Sequence, residues 1–174
     1  MRSEWVPARE LRYLLAAMRP ENRLACEISL ATGLRISDVL SLTRSKLEGG
    51  NRFTVKEGKT GKVRSVYLPV ELHSRALSYA GEHYIFEGRS NARKHRTRQA
   101  VYKDIRQVAE AFRLKAHLSP HSLRKAWAVE AYHASGGSLK KVQKLLNHEN
   151  EGVTILYALA DELTKRGKSA ARMS

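Results

Sequence analysis

Ser-Pro-His-Ser-Leu-Arg-Lys at 119–125, Leu-Leu-Asn-His at 145–148 and Thr-Ile-Leu-Tyr at 154–157 gather two histidines, an arginine and a tyrosine into one stretch of the chain. Ser119 is a favoured N-cap residue and Pro120 suits the first helical position, so a helix is expected to start here. His121 and Arg124, three residues apart, then share one helix face. An imidazole and a guanidinium side by side suit a phosphate, because both donate hydrogen bonds and the guanidinium fork matches two phosphate oxygens. Tyr157 follows His148 by nine residues. On one unbroken helix that is about two and a half turns, which sets the two side chains on opposite faces. Asn150 and Gly152 allow an intervening turn that would bring them together.

Two further residues stand where an anion could be met. Arg35 falls at the start of an expected helix, where the helix dipole disfavours a cation by about 0.3–1 kcal/mol. A bound anion would reverse that penalty, since amide donors and guanidinium would both face it. From position alone, an arginine turned into solvent is the commoner reading. Lys59 sits in Gly58-Lys59-Thr60-Gly61, a turn between two runs of strand formers, and there a solvated loop lysine is the commoner reading. The G-x-x-x-x-G-K-[ST] spacing is absent, which excludes a P-loop.

Taken together, these segments resemble the tyrosine recombinases, the phage-type integrases. His121, Arg124, His148 and Tyr157 fall on that family's His-x-x-Arg, its Leu-Gly-His-like turn and its nucleophilic tyrosine, and Thr154 also fits. Ala31 to Asp38 matches the family's first motif, with Arg35 on the first catalytic arginine and Asp38 on a supporting acidic position. Gly58 to Pro69 resembles the hairpin that delivers a mobile catalytic lysine, with Lys59 the first choice and Lys62 the second. The chain departs from the pattern at Asn147, where the family often has Gly, and at Lys125, where many members have His or Arg. Each motif alone is weak. Their order and spacing, from about Arg9 to Leu159, make the combination specific.

The resemblance implies a site-specific recombinase or integrase that cleaves and rejoins duplex DNA through a 3′-phosphotyrosyl intermediate. Bond energy is retained in the ester, so no cofactor and no metal is expected. Arg35 and Arg124 would stabilise the charge of the pentavalent transition state. Tyr157 would attack, Lys59 would protonate the leaving 5′-oxygen, and His148 would donate to a nonbridging oxygen, with His121 or arginine charge easing loss of the tyrosine proton. The expected partners are double-stranded target sites and further copies of the chain in a DNA-dependent tetrameric synapse. Two alternatives are a type IB topoisomerase-like relaxing enzyme and a non-catalytic basic DNA-binding protein. The complete Arg-Lys-His-Arg-His-Tyr set argues against the last, because binding alone gives no reason for a tyrosine at that spacing.

Composition agrees with an anionic partner. The 174 residues include 32 Lys plus Arg against 17 Asp plus Glu, a net charge of +15. Nucleic acid is the first candidate for such a chain and an anionic membrane the second. No apolar run is long enough to span a bilayer, and the N-terminal residues lack the apolar core of a signal peptide. The single Cys26, between apolar neighbours, reads as a buried core thiol. These features predict a soluble, cytoplasmic protein, and the resemblance implies one of bacterial or phage type that is associated with DNA.

The elements that must hold these residues follow from periodicity. The apolar stripe Val6, Leu11, Leu14, Leu15 and Met18 predicts a helix from Pro7. A second helix should open at Pro20 and stop at Thr32-Gly33, and a third should begin near Ile36. The resemblance and the pattern together give an α+β domain, predominantly helical, with one small antiparallel sheet over about residues 47–68. Pro69 to Tyr79 reads as helix, and 89–98 as a polar, basic connection. A helix from Gln99 should turn Val101, Ile105, Val108 and Phe112 inward. Trp127 reads as core, Gly136-Gly137 as the end of the His121 helix, and Ser138 as the cap of the next. Lys62, Arg93, Lys94, Arg96, Arg98 and Lys125 are the candidate contacts to the DNA backbone. The whole of 1–174 is expected to form one catalytic domain with a basic tail over about 160–174, without the N-terminal clamp domain most of the family carries.

Overall fold

The computed structural model describes residues 3–146. His148, Tyr157 and the basic tail lie outside the described residues. Helices α1 (Ala8–Ala16), α2 (Pro20–Thr32), α3 (Ile36–Leu40) and α4 (Arg44–Glu48) lead into strands β1 (Arg52–Lys56) and β2 (Val63–Tyr67). Helix α5 (Val70–Tyr79) follows, then the short strands β3 (Glu87–Gly88) and β4 (Asn91–His95). Helices α6 (Arg98–Ala111), α7 (Pro120–Ala134) and α8 (Leu139–Leu146) complete the described chain.

The core is mainly helical. Helix α2 lies at its centre, packed against α1, α3, α5, α6 and α7. Leu11, Leu14 and Leu15 from α1, Leu24 and Ile28 from α2, Val101 and Ile105 from α6 and Leu123 from α7 are buried together. Cys26 is fully buried, and that burial, with Asp104 and Glu27 nearby, pushes its thiol far above the ordinary range. The thiol is therefore an inert packing group. Asp104 accepts from Asn22 Nδ2 at 2.7 Å and from the Arg19 amide at 3.1 Å, which ties the start of α2 to α6.

Strands β1 and β2 pair antiparallel with Phe53 opposite Val66 and Val55 opposite Arg64. The pleat puts these four side chains on one face, where Val55 and Val66 are buried, while Arg52, Thr54 and Lys56 are exposed on the other. Arg64 is thereby aimed at the protein rather than at solvent.

Three local expectations are corrected. The first sheet begins at Arg52, not 47, because residues 44–48 form α4: Thr43 accepts from the Lys46 amide and Leu47 is fully buried. The connection at 89–98 holds β4, which pairs with β3 just before it to form a second two-stranded sheet. Its long strand is exposed throughout, so it had no alternating pattern to betray it. Phe112 is 52% exposed, since it stands at the C-cap of α6 rather than on its inward stripe.

Candidate active site

Gly33 ends α2 in the left-handed region, with φ of 67°, and its amide bonds back to Ser29 O at 2.8 Å. That sharp exit places Arg35 at the N-cap of α3. Ser119 caps α7 with a capping box: its hydroxyl accepts from the His121 amide at 3.2 Å, and its own amide donates to Ser122 Oγ at 3.3 Å. This fixes where the helix starts and so which side of it carries His121 and Arg124. Arg124 is buried, and its Nη1 donates to Gly33 O. The turn that delivers one arginine thus holds the other.

Arg35, His121 and Arg124 line one cleft of about 420 Å³, with Ser119, Arg98 and Tyr102 also on its wall. The first turns of both α6 and α7 border this space, so the positive ends of their helix dipoles add to the Arg35, His121 and Arg124 side chains. Tertiary folding brings together groups up to 89 residues apart, counted from Arg35 to Arg124 (124 − 35). The arrangement suits a tetrahedral or pentavalent phosphate, with donors arriving from several directions before any charge develops.

Lys59 is exposed in the 58–60 turn between β1 and β2 and is not among the residues lining that cleft. The turn is nevertheless tied to the site. The Gly58 amide donates to Asp38 Oδ1 at 3.0 Å. Asp38 is buried, and its Oδ2 has no hydrogen-bond partner among the described residues. Desolvation raises the Asp38 pKa; the Gly58 hydrogen bond opposes this, Glu57 adds to it, and Arg35 and Arg124 oppose it. Asp38 therefore links the first arginine's helix to the lysine's hairpin.

Sequence reasoning missed Glu57. Its side chain is fully buried, Arg35 Nη1 lies 2.7 Å from its Oε2, and Thr60 Oγ1 donates to the same oxygen at 3.0 Å. Arg64 Nη1 lies 3.8 Å from Oε1, and Arg64 Nη2 donates to Thr32 O. The Arg64 guanidinium also sits 5.4 Å from the centre of the Trp127 ring. A charged residue just after an alternating strand reads as a loop residue, and only the fold of the hairpin over α2 and α3 buries it.

The candidate backbone contacts divide. Lys62, Arg93, Lys94 and Arg98 are exposed. Arg96 is occupied within the protein, donating to Asn22 Oδ1 at 2.6 Å and to Glu21 Oε1 at 3.0 Å. Lys125 is a correction: it is buried and its Nζ donates to Ser3 O at 2.7 Å, because its place on α7 faces the N-terminal segment. An ammonium held there is not presented to a phosphate.

Comparison with known proteins follows the same lines. The model of the phage integrase family matches residues 4–163. Tyrosine recombinase XerD of Bradyrhizobium diazoefficiens is 32% identical over 184 residues, covering 95% of this chain and 54% of the relative. The chain spans about half the length of the curated relatives it matches. Among solved structures, a lambda integrase dimer bound to a COC′ core site is similar with a TM-score of 0.70 at 20% identity, covering 91% of this chain and 48% of that one. A lambda integrase tetramer bound to a Holliday junction gives a TM-score of 0.67 at 22% identity, covering 86% of this chain and 46% of that one. These likenesses show a shared catalytic-domain fold.

Proposed function

The chain belongs to the phage integrase family, and on that premise we propose that it is a tyrosine-type site-specific DNA recombinase. It cleaves one strand of duplex DNA by attack of Tyr157 on a phosphodiester, leaving a 3′-phosphotyrosyl bond and a free 5′-hydroxyl, and rejoins the strand by the reverse reaction. The observation that carries this reading is the convergence of Arg35, His121 and Arg124 on one cleft of about 420 Å³. In it the scissile phosphate meets two guanidinium groups whose positions are set before charge builds up. A tyrosine with its reference pKa near 10 costs about 4 kcal/mol to ionise at pH 7, so proton loss accompanies attack, eased by His121 and the arginine charge. Lys59 supplies the proton to the leaving oxygen, reached by movement of the exposed turn toward the cleft. His148 donates to a nonbridging oxygen.

The proposed partners are paired duplex target sites, on which copies of the chain assemble as a tetramer. The lambda integrase dimer bound to a core site and the tetramer bound to a Holliday junction support this by analogy of fold. Exposed Lys62, Arg93, Lys94 and Arg98 contribute sequence-independent contacts to the DNA backbone. Among the described residues no helix is long and apolar enough to cross a membrane.

Incubation with a nicked duplex that traps the covalent intermediate tests the reading. The unaltered protein is expected to form a protein–DNA adduct, and Tyr157→Phe to form none while binding DNA nearly as well. Tyr102 lines the cleft and is the nearest rival nucleophile. Adduct formation by Tyr157→Phe would transfer the role away from Tyr157, and plasmid relaxation without exchange between sites would favour a topoisomerase.

A further inference from the structure

We propose that Glu57 is a positioning residue for Arg35: it fixes the guanidinium that faces the cleft and couples its orientation to the hairpin carrying Lys59. The effect on reaction rate rests on the strand-cleavage reading above, whereas the positioning itself rests on geometry alone. A fully buried carboxylate is costly unless paired, and Glu57 lies between two guanidinium groups, those of Arg35 at 2.7 Å and Arg64 at 3.8 Å. The Thr60 hydroxyl, one residue beyond Lys59, donates to the same oxygen that meets Arg35. The backbone of Glu57 closes the hairpin: its amide donates to Lys62 O at 2.9 Å, and its carbonyl accepts from the Gly61 amide at 2.8 Å. One residue therefore grips Arg35 by its side chain and both ends of the lysine's turn by its backbone.

The physical consequence concerns preorganisation. An arginine side chain has several rotatable bonds, and an exposed one spreads over many rotamers. Transition-state stabilisation needs the charge in place before the reaction, without reorganisation during it. A buried carboxylate on one edge of the guanidinium holds the plane of the fork while another part of the side chain lines the cleft. Because Glu57 also belongs to the hairpin, displacement of the turn alters the anchor of Arg35. The arginine and the general acid are thus mechanically linked rather than independent.

Glu57→Gln preserves the shape of the side chain and removes its charge. The first measurement is nitrogen NMR of the guanidinium groups in the full chain, assigned with Arg35→Lys. In the unaltered protein rotation of the Arg35 guanidinium should be hindered and its two Nη resonances distinct, and in Glu57→Gln they should merge. The second is single-turnover adduct formation at saturating DNA, which should slow by roughly 10- to 100-fold, as loss of ordered charge donation does, with DNA affinity changed less than threefold. The third is a double-mutant cycle, in which Glu57→Gln in an Arg35→Lys background should cost less than about threefold, because the group it positions is gone. Distinct Nη resonances in Glu57→Gln, a parental cleavage rate, or a full multiplicative loss in the Arg35→Lys background would each overturn the inference. If the unaltered protein forms no adduct, the strand-cleavage reading fails, and the NMR result still decides whether Glu57 orders Arg35. If Glu57→Gln does not fold, Glu57→Asp carries the same measurements: it keeps the charge but is one methylene too short to hold the contact, and parental resonances and rate in it would refute the role.

Discussion

At the scale of single residues, Lys59 is the group whose chemistry the fold leaves most open to experiment. It is exposed on its turn, away from the three cleft residues, yet the backbone beside it is bonded to Asp38. If Lys59 protonates the departing 5′-oxygen, Lys59→Ala should block cleavage of ordinary DNA. Replacing the bridging oxygen by sulfur makes a leaving group that needs no acid, so cleavage by Lys59→Ala should return to near the parental rate, while Tyr157→Phe stays inactive. Rescue seen only with Lys62→Ala would move the role to Lys62. Asp38 offers a separate test through pH. Its folded-state pKa is raised above 3.8, chiefly by desolvation, so between the unfolded and folded values the folded protein keeps a proton that the unfolded chain has lost. Its contribution to stability is then greatest below the unfolded value and falls as pH rises through the folded value. Urea midpoints over about pH 3.5 to 7 should show Asp38→Asn gaining on the parent protein as pH rises through that window, and a pH-independent difference would refute the assignment.

At the scale of elements, the turn after α2 matters more than its length implies. Gly33 and Gly61 both have φ of 67°, so alanine at either meets the same left-handed backbone cost of about 1–2 kcal/mol. Their surroundings differ. A Cβ at Gly61 meets nothing within 4 Å, whereas one at Gly33 would lie 2.4 Å from atoms of the Trp127 ring. Gly33→Ala should therefore lose a further roughly 1–3 kcal/mol through overpacking between α2 and α7. It should also slow cleavage, because Gly33 O accepts from Arg124 and Trp127 lies beside Arg64. Thermal melts of the two variants side by side isolate the packing component, and equal losses would show that Trp127 yields freely. The glycine was legible in the sequence as a helix stop. The tryptophan packed over it was not, because Trp127 lies 94 residues away (127 − 33) and nothing local records that contact.

At the scale of the whole molecule, charge and fold make different contributions. A net charge of +15 should dominate non-specific DNA binding, so affinity should drop steeply with salt through release of counterions. A change of less than about threefold between roughly 50 and 200 mM salt would mean that the basic surface is not the main binding face. Composition alone sufficed for that expectation, because long-range electrostatics depends on total charge more than on its arrangement. Local patterns likewise determined most helices: Pro20 and Gly33 bracket α2, and Ser119-Pro120 starts α7, since capping and φ restriction act over a few residues. The order of the motifs carried the family, and it singled out Arg35, His121 and Arg124, which the fold gathers on one cleft. What only the tertiary structure decided was the fate of charges whose neighbours are distant in sequence. Lys125 and Arg96 look like surface cations yet are bonded inside the protein, and Glu57 looks like a loop carboxylate yet is buried against Arg35. A charge is accepted in the interior only where the folded chain brings a partner to it, and that partner lies 22 residues away for Glu57 and 122 for Lys125.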